Sequence, residues 1–255
     1  MIRLVLVGAA GRMGVAVTQA LAGQDSIELK ARVDVRPNRT DGPGVWSSDP
    51  GSVIAAGDVV IEFSSPEGAR TIAGLCAAGG AALVSGSTGL APGDEDAIRE
   101  ASRTVAVVRS ANFSLGVAVL RRALRSALER LPAGWDIEIV ERHHRGKVDS
   151  PSGTALALAK EAMVMRGLSE SSLRQGRSGR LGTRPANEIG VHAVRGGTWA
   201  GDHEVLLAGD GEWLELRHVA QDRGAFAHGA IAAARFAASA GPGLYNLEDV
   251  LKETR

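Results

Sequence analysis

The chain has a single cysteine in 255 residues, no surplus of either charge, and no long uninterrupted apolar run. Each absence excludes something. One thiol, Cys76, cannot close an intrachain disulfide or build a thiolate metal cluster, and its setting in GLCAAGG reads as a core position, so no metal site is expected. Lysine plus arginine number 29 and aspartate plus glutamate also 29, so nothing in the balance draws the chain to nucleic acid or to an anionic membrane. Apolar stretches are cut short by Gly, Asp or Arg, and none is long enough to span a bilayer. The apolar start MIRLVLVGAAG runs straight into a glycine motif and reads as a first strand rather than a signal peptide, which leaves the cytoplasm as the expected location.

What is present is an ordinary globular composition, 44% apolar and 23% charged, in a chain long enough for one large domain or two smaller ones. Short apolar runs alternate with helical segments through the first half. Strands are expected at IRLVLVG (2–8), LKARVD (29–34) and DVVIEFSS (58–65), and within AALVSGSTG (81–89) and TVAVVRSAN (104–112). Between them lie helix-like GRMGVAVTQALAG, PEGARTIAGLCAAG with Pro66 at its start, and acidic GDEDAIREAS. This alternation indicates a parallel sheet covered on both faces.

The rhythm then changes. VAVLRRALRSALERL (117–131) is an amphipathic helix with Arg121, Arg122, Arg125 and Arg130 on its polar side. Strands follow in DIEIVERHH, IGVHAVRGG, HEVLLAG and EWLELRHVA, the last two joined by an Asp210-Gly211 hairpin turn. The order predicts an α+β domain with an open mixed sheet. RQGRSGRLGTR (174–184) is expected to be a mobile loop of that domain, and GAFAHGAIAAARFAASAG an alanine-rich helix suited to tight packing.

Gly8, Gly11 and Gly14 close the first strand and open a helix, where backbone N–H groups and the helix dipole can hold a dinucleotide pyrophosphate. The strict G-x-G-x-x-G spacing is absent, because Ala10 takes the place of its second glycine. Asp34 ends the second strand where an acid would bond an adenine ribose. That acid favours NADH by repelling a 2′-phosphate, and Arg12, Arg32 and Arg36 offset the repulsion, so NADH and NADPH both stay open. GSTG (86–89) and ANFS (111–114) follow later parallel strands, at the ends that converge on such a crevice, and their small residues suit a flat nicotinamide ring. Ordinary turn chemistry is the alternative for both.

VERHHRGKVDSPSGTALALAK (140–160) places His143 and His144 at the end of a strand, pointing in different directions. With Arg142, Arg145 and Lys147 they form a cationic cluster that costs repulsion unless something compensates. Two readings fit: pairing with Asp149 and Glu141, or an anionic ligand. Ser152-Gly153-Thr154 opens a helix whose first N–H groups and dipole suit a carboxylate, with Lys147 as a point charge and histidine as proton donor. The second reading implies a reductase of a small anionic metabolite.

Together these stretches resemble the 4-hydroxy-tetrahydrodipicolinate reductase (dihydrodipicolinate reductase) family. The matching pieces are GAAGRMG (8–14), FSSPEG (63–68), GSTG (86–89), ANFSLGV (111–117), ERHHRGKVDSPSGTA (141–155), GVHAVRGG (190–197), GDHEVLLAGDGEWLELRH (201–218) and DRGAFAHGA (222–230). They run from end to end in family order. The resemblance implies an α/β architecture, with a Rossmann-like parallel-sheet cofactor domain over 1–114 and 223–255. It adds an α+β substrate and oligomerisation domain with an open mixed sheet over 115–222, and a homotetramer. It implies that His143 is the proton donor and Lys147 the cation engaging the substrate, and that His144, Ser152, Gly153, Thr154 and Arg223 contact substrate carboxylates. His144 could alternatively only hold His143 in place. Cofactor contacts, to NADH or NADPH, fall on Gly8, Gly11, Arg12, Met13, Gly14, Asp34, Gly86, Ser87, Thr88, Ala111, Asn112 and Phe113. Two departures stand out: GSTG replaces the family's common G-T-T-G, and Val35 occupies a place where some members put an arginine for the 2′-phosphate.

Overall fold

The computed structural model describes residues 1–36 and 42–253. Residues 37–41, part of the irregular stretch expected after Asp34, lie outside the described residues. The chain forms two compact units, Met1–Leu115 with Arg223–Arg255, and Gly116–Asp222. The elements run β1 (Ile2–Val7), α1 (Arg12–Ala20), β2 (Ile27–Val33), β3 (Val45–Ser47), β4 (Val59–Glu62), α2 (Pro66–Gly79), β5 (Ala82–Ser85), α3 (Pro92–Ala101) and β6 (Ala106–Arg109). They continue through α4 (Leu115–Leu128), β7 (Asp136–His143), α5 (Gly153–Arg166), β8 (Leu173–Gln175), β9 (Ile189–Arg195), β10 (Gly201–Gly209), β11 (Glu212–Ala220), α6 (Gly224–Ser239), β12 (Gly243–Tyr245) and α7 (Leu247–Glu253).

The first unit is a seven-stranded, all-parallel sheet in the order β12-β6-β5-β4-β1-β2-β3. Its central strands are apolar throughout because helices cover both faces; Leu4, Val5, Leu6, Val60 and Ile61 have no exposure. From β1 the chain first builds outward through β2 and β3, then crosses to β4 on the other side of β1. That reversal opens a crevice at the carboxyl ends of β1 and β4. Local chemistry sets the helix ends: in α2 the Ser65 hydroxyl accepts the Gly68 N–H, Pro66 begins the first turn, and Gly80 stops the helix at φ +70°. The alanine-rich α6 buries Ala227, Ala230, Ala233, Ala234 and Ala237. Its Gly229 admits the close approach of Phe113, whose carbonyl oxygen would lie 1.7 Å from any Cβ at 229.

The second unit is a five-stranded mixed sheet, β11-β10-β7-β9-β8, antiparallel on the hairpin side and parallel on the other. The Asp210-Gly211 turn joins β10 and β11 as expected, with Gly211 at φ +82°. Alternation along β7 sends Ile137, Ile139, Glu141 and His143 to its buried face. α4 and α5 contribute Leu120, Leu124, Leu158 and Ala162 to the core with Ile137, Ile139, Ile189 and Val205. Arg121 and Arg125 of α4 both pair with Glu161 of α5.

The segment expected to be a mobile loop differs from that expectation at its start and along its length. Arg174 and Gln175 lie in β8, Arg177 bonds Glu138 at 2.6 and 2.9 Å, and Arg184 bonds Glu138 at 2.9 Å and Asp136 at 2.6 Å. Two arginines pin it to β7. Gly190 leaves the space for Glu138, whose carboxylate would lie 1.8 Å from a Cβ there. The three-residue strands β3 and β12 were not expected; each exists by pairing with a neighbour, β2 and β6.

Candidate active site

In the first unit the glycines act through close approach. Gly8 sits at φ +78°, and a Cβ on it would lie 2.1 Å from the carbonyl oxygen of Phe63. A Cβ on Gly14 would lie 2.4 Å from the Gly8 carbonyl oxygen, so the first turn of α1 packs on the strand end only because residue 14 is glycine. Gly11 is the N-cap of α1 and offers no side-chain cap, so first-turn N–H groups of α1 lack an intrahelical partner. Arg12 is exposed at the helix start and Met13 half-buried beside it. Ala10 is exposed, so its methyl costs the turn nothing, and its N–H donates to Asp34 Oδ2 at 3.0 Å. Asp34 also accepts the Arg36 N–H at 3.4 Å. Around these groups lies a cavity of about 500 Å³ lined by Gly8, Gly11, Asp34, Val35, Phe63 and Gly68 among others.

GSTG and ANFS meet this turn through residues 62–64. A Cβ on Gly86 would lie 2.1 Å from the Phe63 ring, and Phe113 packs edge-on against that ring at 5.8 Å. Phe113 is buried and Asn112 uses its Oδ1 to accept the Ser114 N–H at 2.8 Å, while Ala111 and Thr88 are exposed. Ser87 is buried and donates to Glu62 at 2.6 Å. Glu62, unexpected from the sequence, is fully buried at the end of β4. It accepts from the Ser64 N–H and hydroxyl at 2.6 Å each, from Ser87, and from the Ser85 hydroxyl at 3.1 Å. Among the described residues no ion pair joins it, so three hydroxyls and an amide solvate the carboxylate. The signal was there: an acid inside the apolar run DVVIEFSS.

In the second unit β7 ends on His143, whose Nδ1 is 2.6 Å from Glu141 Oε2. Arg195 of β9 clamps Glu141 at 2.7 Å on each oxygen, and the Ser152 N–H donates to it at 2.9 Å. Ser152 caps α5, its hydroxyl accepting the Ala155 N–H at 3.2 Å and meeting His203 Nε2 at 3.0 Å. The His203 ring lies 5.1 Å from that of His143, edge to face. His144 leaves the strand, its N–H donating to the Trp199 carbonyl, and is half-buried. Lys147 pairs with Asp149 at 2.8 Å. Gly153 is exposed and Thr154 half-buried in the first turn of α5.

Burial, and then the Lys147 and Arg195 charges, lower the pKa of His143 against the opposing pull of Glu141. Burial would raise Glu141, yet hydrogen bonds from Arg195, His143 and Ser152 hold it below the ordinary value. His203 falls to about 4 through burial and the neighbouring His143.

Glu141 on His143 and Asp149 on Lys147 are both in place, and Arg142 pairs with Asp202 and Glu204 of β10, so part of the cluster's charge is offset within the fold. Ser152 spends its N–H and hydroxyl on internal partners. What marks the site is His143 Nε2, which has no hydrogen-bond partner among the described residues and faces Gly201, where a Cβ would lie 3.2 Å away. Arg223 belongs to the first unit, exposed at the N-cap of α6, whereas His143, His144, Lys147 and Ser152–Thr154 belong to the second. Arg195 and His203 were missed because each acts across a strand pair, His143 opposite Arg195 and Glu141 opposite His203. Among the described residues no group of His, Cys, Asp or Glu could hold a metal, and no helix is long and apolar enough to cross a membrane.

Two family models match in tandem: "Dihydrodipicolinate reductase, N-terminus" over residues 2–113 and "Dihydrodipicolinate reductase, C-terminus" over 116–251. The chain is 44% identical to a 4-hydroxy-tetrahydrodipicolinate reductase of Caulobacter vibrioides, covering 98% of this chain and 97% of the relative. It is 42% identical to one of Thermomicrobium roseum, over 98% and 100%. Among solved structures it is similar to a dipicolinate-bound dihydrodipicolinate reductase of Paenisporosarcina sp. TG-14. That TM-score is 0.80 at 23% identity, over 98% of this chain and 99% of the other, a likeness of fold.

Proposed function

We propose, from the premise that the chain belongs to the dihydrodipicolinate reductase family, that it is an NAD(P)H-dependent 4-hydroxy-tetrahydrodipicolinate reductase of lysine and diaminopimelate biosynthesis. The observation that carries the site assignment is the pairing of His143 Nδ1 with buried Glu141, which leaves that ring's other nitrogen, Nε2, without a partner among the described residues.

The first unit (1–115 and 223–255) is the dinucleotide domain. Its glycine turn, the uncapped start of α1 and the cavity beside Asp34 fit a dinucleotide: Gly8 and Gly14 hold a cradle that a Cβ would fill. Gly8, Gly11, Arg12, Met13 and Gly14 take the pyrophosphate side and Asp34 the ribose. The loops at Gly86–Thr88 and Ala111–Phe113 take the nicotinamide. When bound, that ring supplies a hydride.

The second unit (116–222) takes the substrate, a conjugated cyclic imine formed by loss of water from 4-hydroxy-tetrahydrodipicolinate. The first turn of α5 at Gly153 and Thr154, with His144, takes one carboxylate, Ser152 shapes that turn as its cap, and Arg223 serves the other carboxylate. Addition of the hydride to a ring carbon pushes an electron pair toward the neighbouring carbon and the imine nitrogen. Lys147 exchanges Asp149 for that developing charge. His143 gives the Nε2 proton to the carbon, leaving neutral imidazole and tetrahydrodipicolinate. Its lowered proton affinity makes the imidazolium a strong acid, and an anionic substrate beside it favours loading the proton.

The outer face of β11 supports self-association, which we read as a homotetramer: Trp213 is 68% exposed and Val219 53% on an edge strand. Sedimentation tests it, and a monomer would refute it. For activity, the substrate is generated from pyruvate and aspartate semialdehyde by the preceding synthase while NADH and NADPH oxidation are followed separately. Turnover is expected with both; none with either refutes the assignment. His143→Ala should lower kcat by up to about 10²–10⁴-fold.

A further inference from the structure

Glu141 is more than a counter-charge. It has no exposure, and its four hydrogen-bond donors fill the roughly four acceptor positions of a carboxylate: His143 Nδ1 at 2.6 Å, Arg195 twice at 2.7 Å and the Ser152 N–H at 2.9 Å. The arginine is tied onward, for its Nη2 donates to the Asp149 carbonyl oxygen at 2.7 Å, and the Asp149 carboxylate holds Lys147. One connected set of bonds therefore runs from the imidazole to the ammonium.

We propose that Glu141 and Arg195 are positioning residues. Glu141 holds the His143 proton on Nδ1 when the ring is neutral, so that the donated proton is always that of Nε2. Arg195 holds Glu141 ionised and fixes the loop that carries Lys147. The proposal rests on the reading of His143 as proton donor and names what sets its direction and strength. The ring nitrogen that reacts is decided by the bond the other nitrogen makes. Here the bond is to a carboxylate that cannot swing away, clamped by a bidentate guanidinium.

The groups facing His143 divide by sign. Glu141 on the same strand favours the imidazolium; Arg195 on β9 and Lys147 in the following loop oppose it, and His203 on β10, with its pKa lowered to about 4, faces it as a neutral ring. Glu141→Gln removes the favourable charge and leaves the others, so the alkaline limb of the single-turnover rate moves to lower pH. Arg195→Met removes an opposing charge, and the limb moves to higher pH. A pair that only held the fold together would not move the limb in opposite directions.

The experiment has two arms. In the native protein, ¹⁵N NMR of the His143 ring should show the neutral form protonated on Nδ1. In the variants, Glu141→Gln should lose at least about tenfold in single-turnover rate, within the about 10²–10⁴-fold that general acid help contributes. Its substrate KM should change less, and Glu141→Asp should recover part of the rate. A neutral ring protonated on Nε2 overturns the proposal whether or not any variant folds, and so do limbs that stay in place in both variants. An unchanged kcat in His143→Ala instead removes the acid role itself, and leaves the tautomer as measured.

Discussion

Gly8→Ala and Gly74→Ala make the same chemical change at two places where the structure demands opposite results. At residue 8 the backbone has φ +78°, and the new methyl would lie 2.1 Å from the Phe63 carbonyl oxygen and 2.7 Å from its carbon. The left-handed conformation costs a non-glycine residue about 1–2 kcal/mol. Relieving contacts this short means moving β1 or the 62–64 segment by more than an ångström, an overpacking cost of about 1–3 kcal/mol. The sum is a loss of about 2–5 kcal/mol, or about 4–20 °C at about 2–4 °C per kcal/mol for a chain of this size. Residue 74 lies exposed within α2 with nothing within 4 Å of the new methyl, so alanine there should stabilise by about 0.5–1 kcal/mol. Thermal melts read both, and fluorescence titration with NADH reads the consequence for the turn. Gly8→Ala should weaken binding by at least about 10²-fold, the scale on which an ångström of misplacement acts at a site. A Gly8→Ala protein that melts within a degree of the native one, or binds NADH within threefold, would refute the steric account.

Asp34→Ala should weaken NADH more than NADPH, since it removes a ribose acceptor and a charge that repels a 2′-phosphate; equal losses in a two-cofactor titration would remove the ribose role. His203 gives a pH test. Its folded pKa of about 4 lies below that of an unfolded histidine, so below neutrality the unfolded chain takes a proton that the folded one refuses. Stability should therefore fall as pH drops from about 6.5 toward 4, and His203→Gln should flatten that slope in urea unfolding across the window. An unchanged slope in the variant would show that the folded ring is charged. Leu124→Ala, at a position with no exposure between α4 and the second sheet, should cost about 2–5 kcal/mol by the same measurement, and a loss below about 1 kcal/mol would show that α4 does not seal that core.

How much of this was legible in the sequence depended on the range of the interaction that decides each feature. α2 was readable almost to the residue because Ser65, Pro66 and Gly80 are local signals, and the β10–β11 hairpin because Asp210-Gly211 permits only a tight turn. β3 and β12 carry no such signal; three residues become a strand only when a neighbour supplies the hydrogen bonds. The site follows the same division. Gly8, Gly14 and Asp34 lie about one strand–helix turn, close enough in sequence to be read together, and the structure places them there. Arg195 meets Glu141 from 54 residues away, and the Glu62 cage gathers serines on both sides of α2.

The cationic cluster at residues 142–147 carries a sharper lesson. Its density of like charge suggested a missing anion, yet Glu141 and Asp149 hold His143 and Lys147 within the segment, and Asp202 and Glu204 of β10 hold Arg142. Surplus charge in a sequence window is thus weak evidence for a ligand, because the fold has first use of every carboxylate nearby. The stronger sign is a polar atom left without a partner on a ring that the fold has already oriented. Glu141, Arg195, Ser152 and Lys147 each hold partners; His143 Nε2 has none among the described residues, beside a glycine that keeps a side chain away from it. A group that the fold has oriented through one nitrogen and left open at the other is poised for a proton transfer that the folded chain alone does not use.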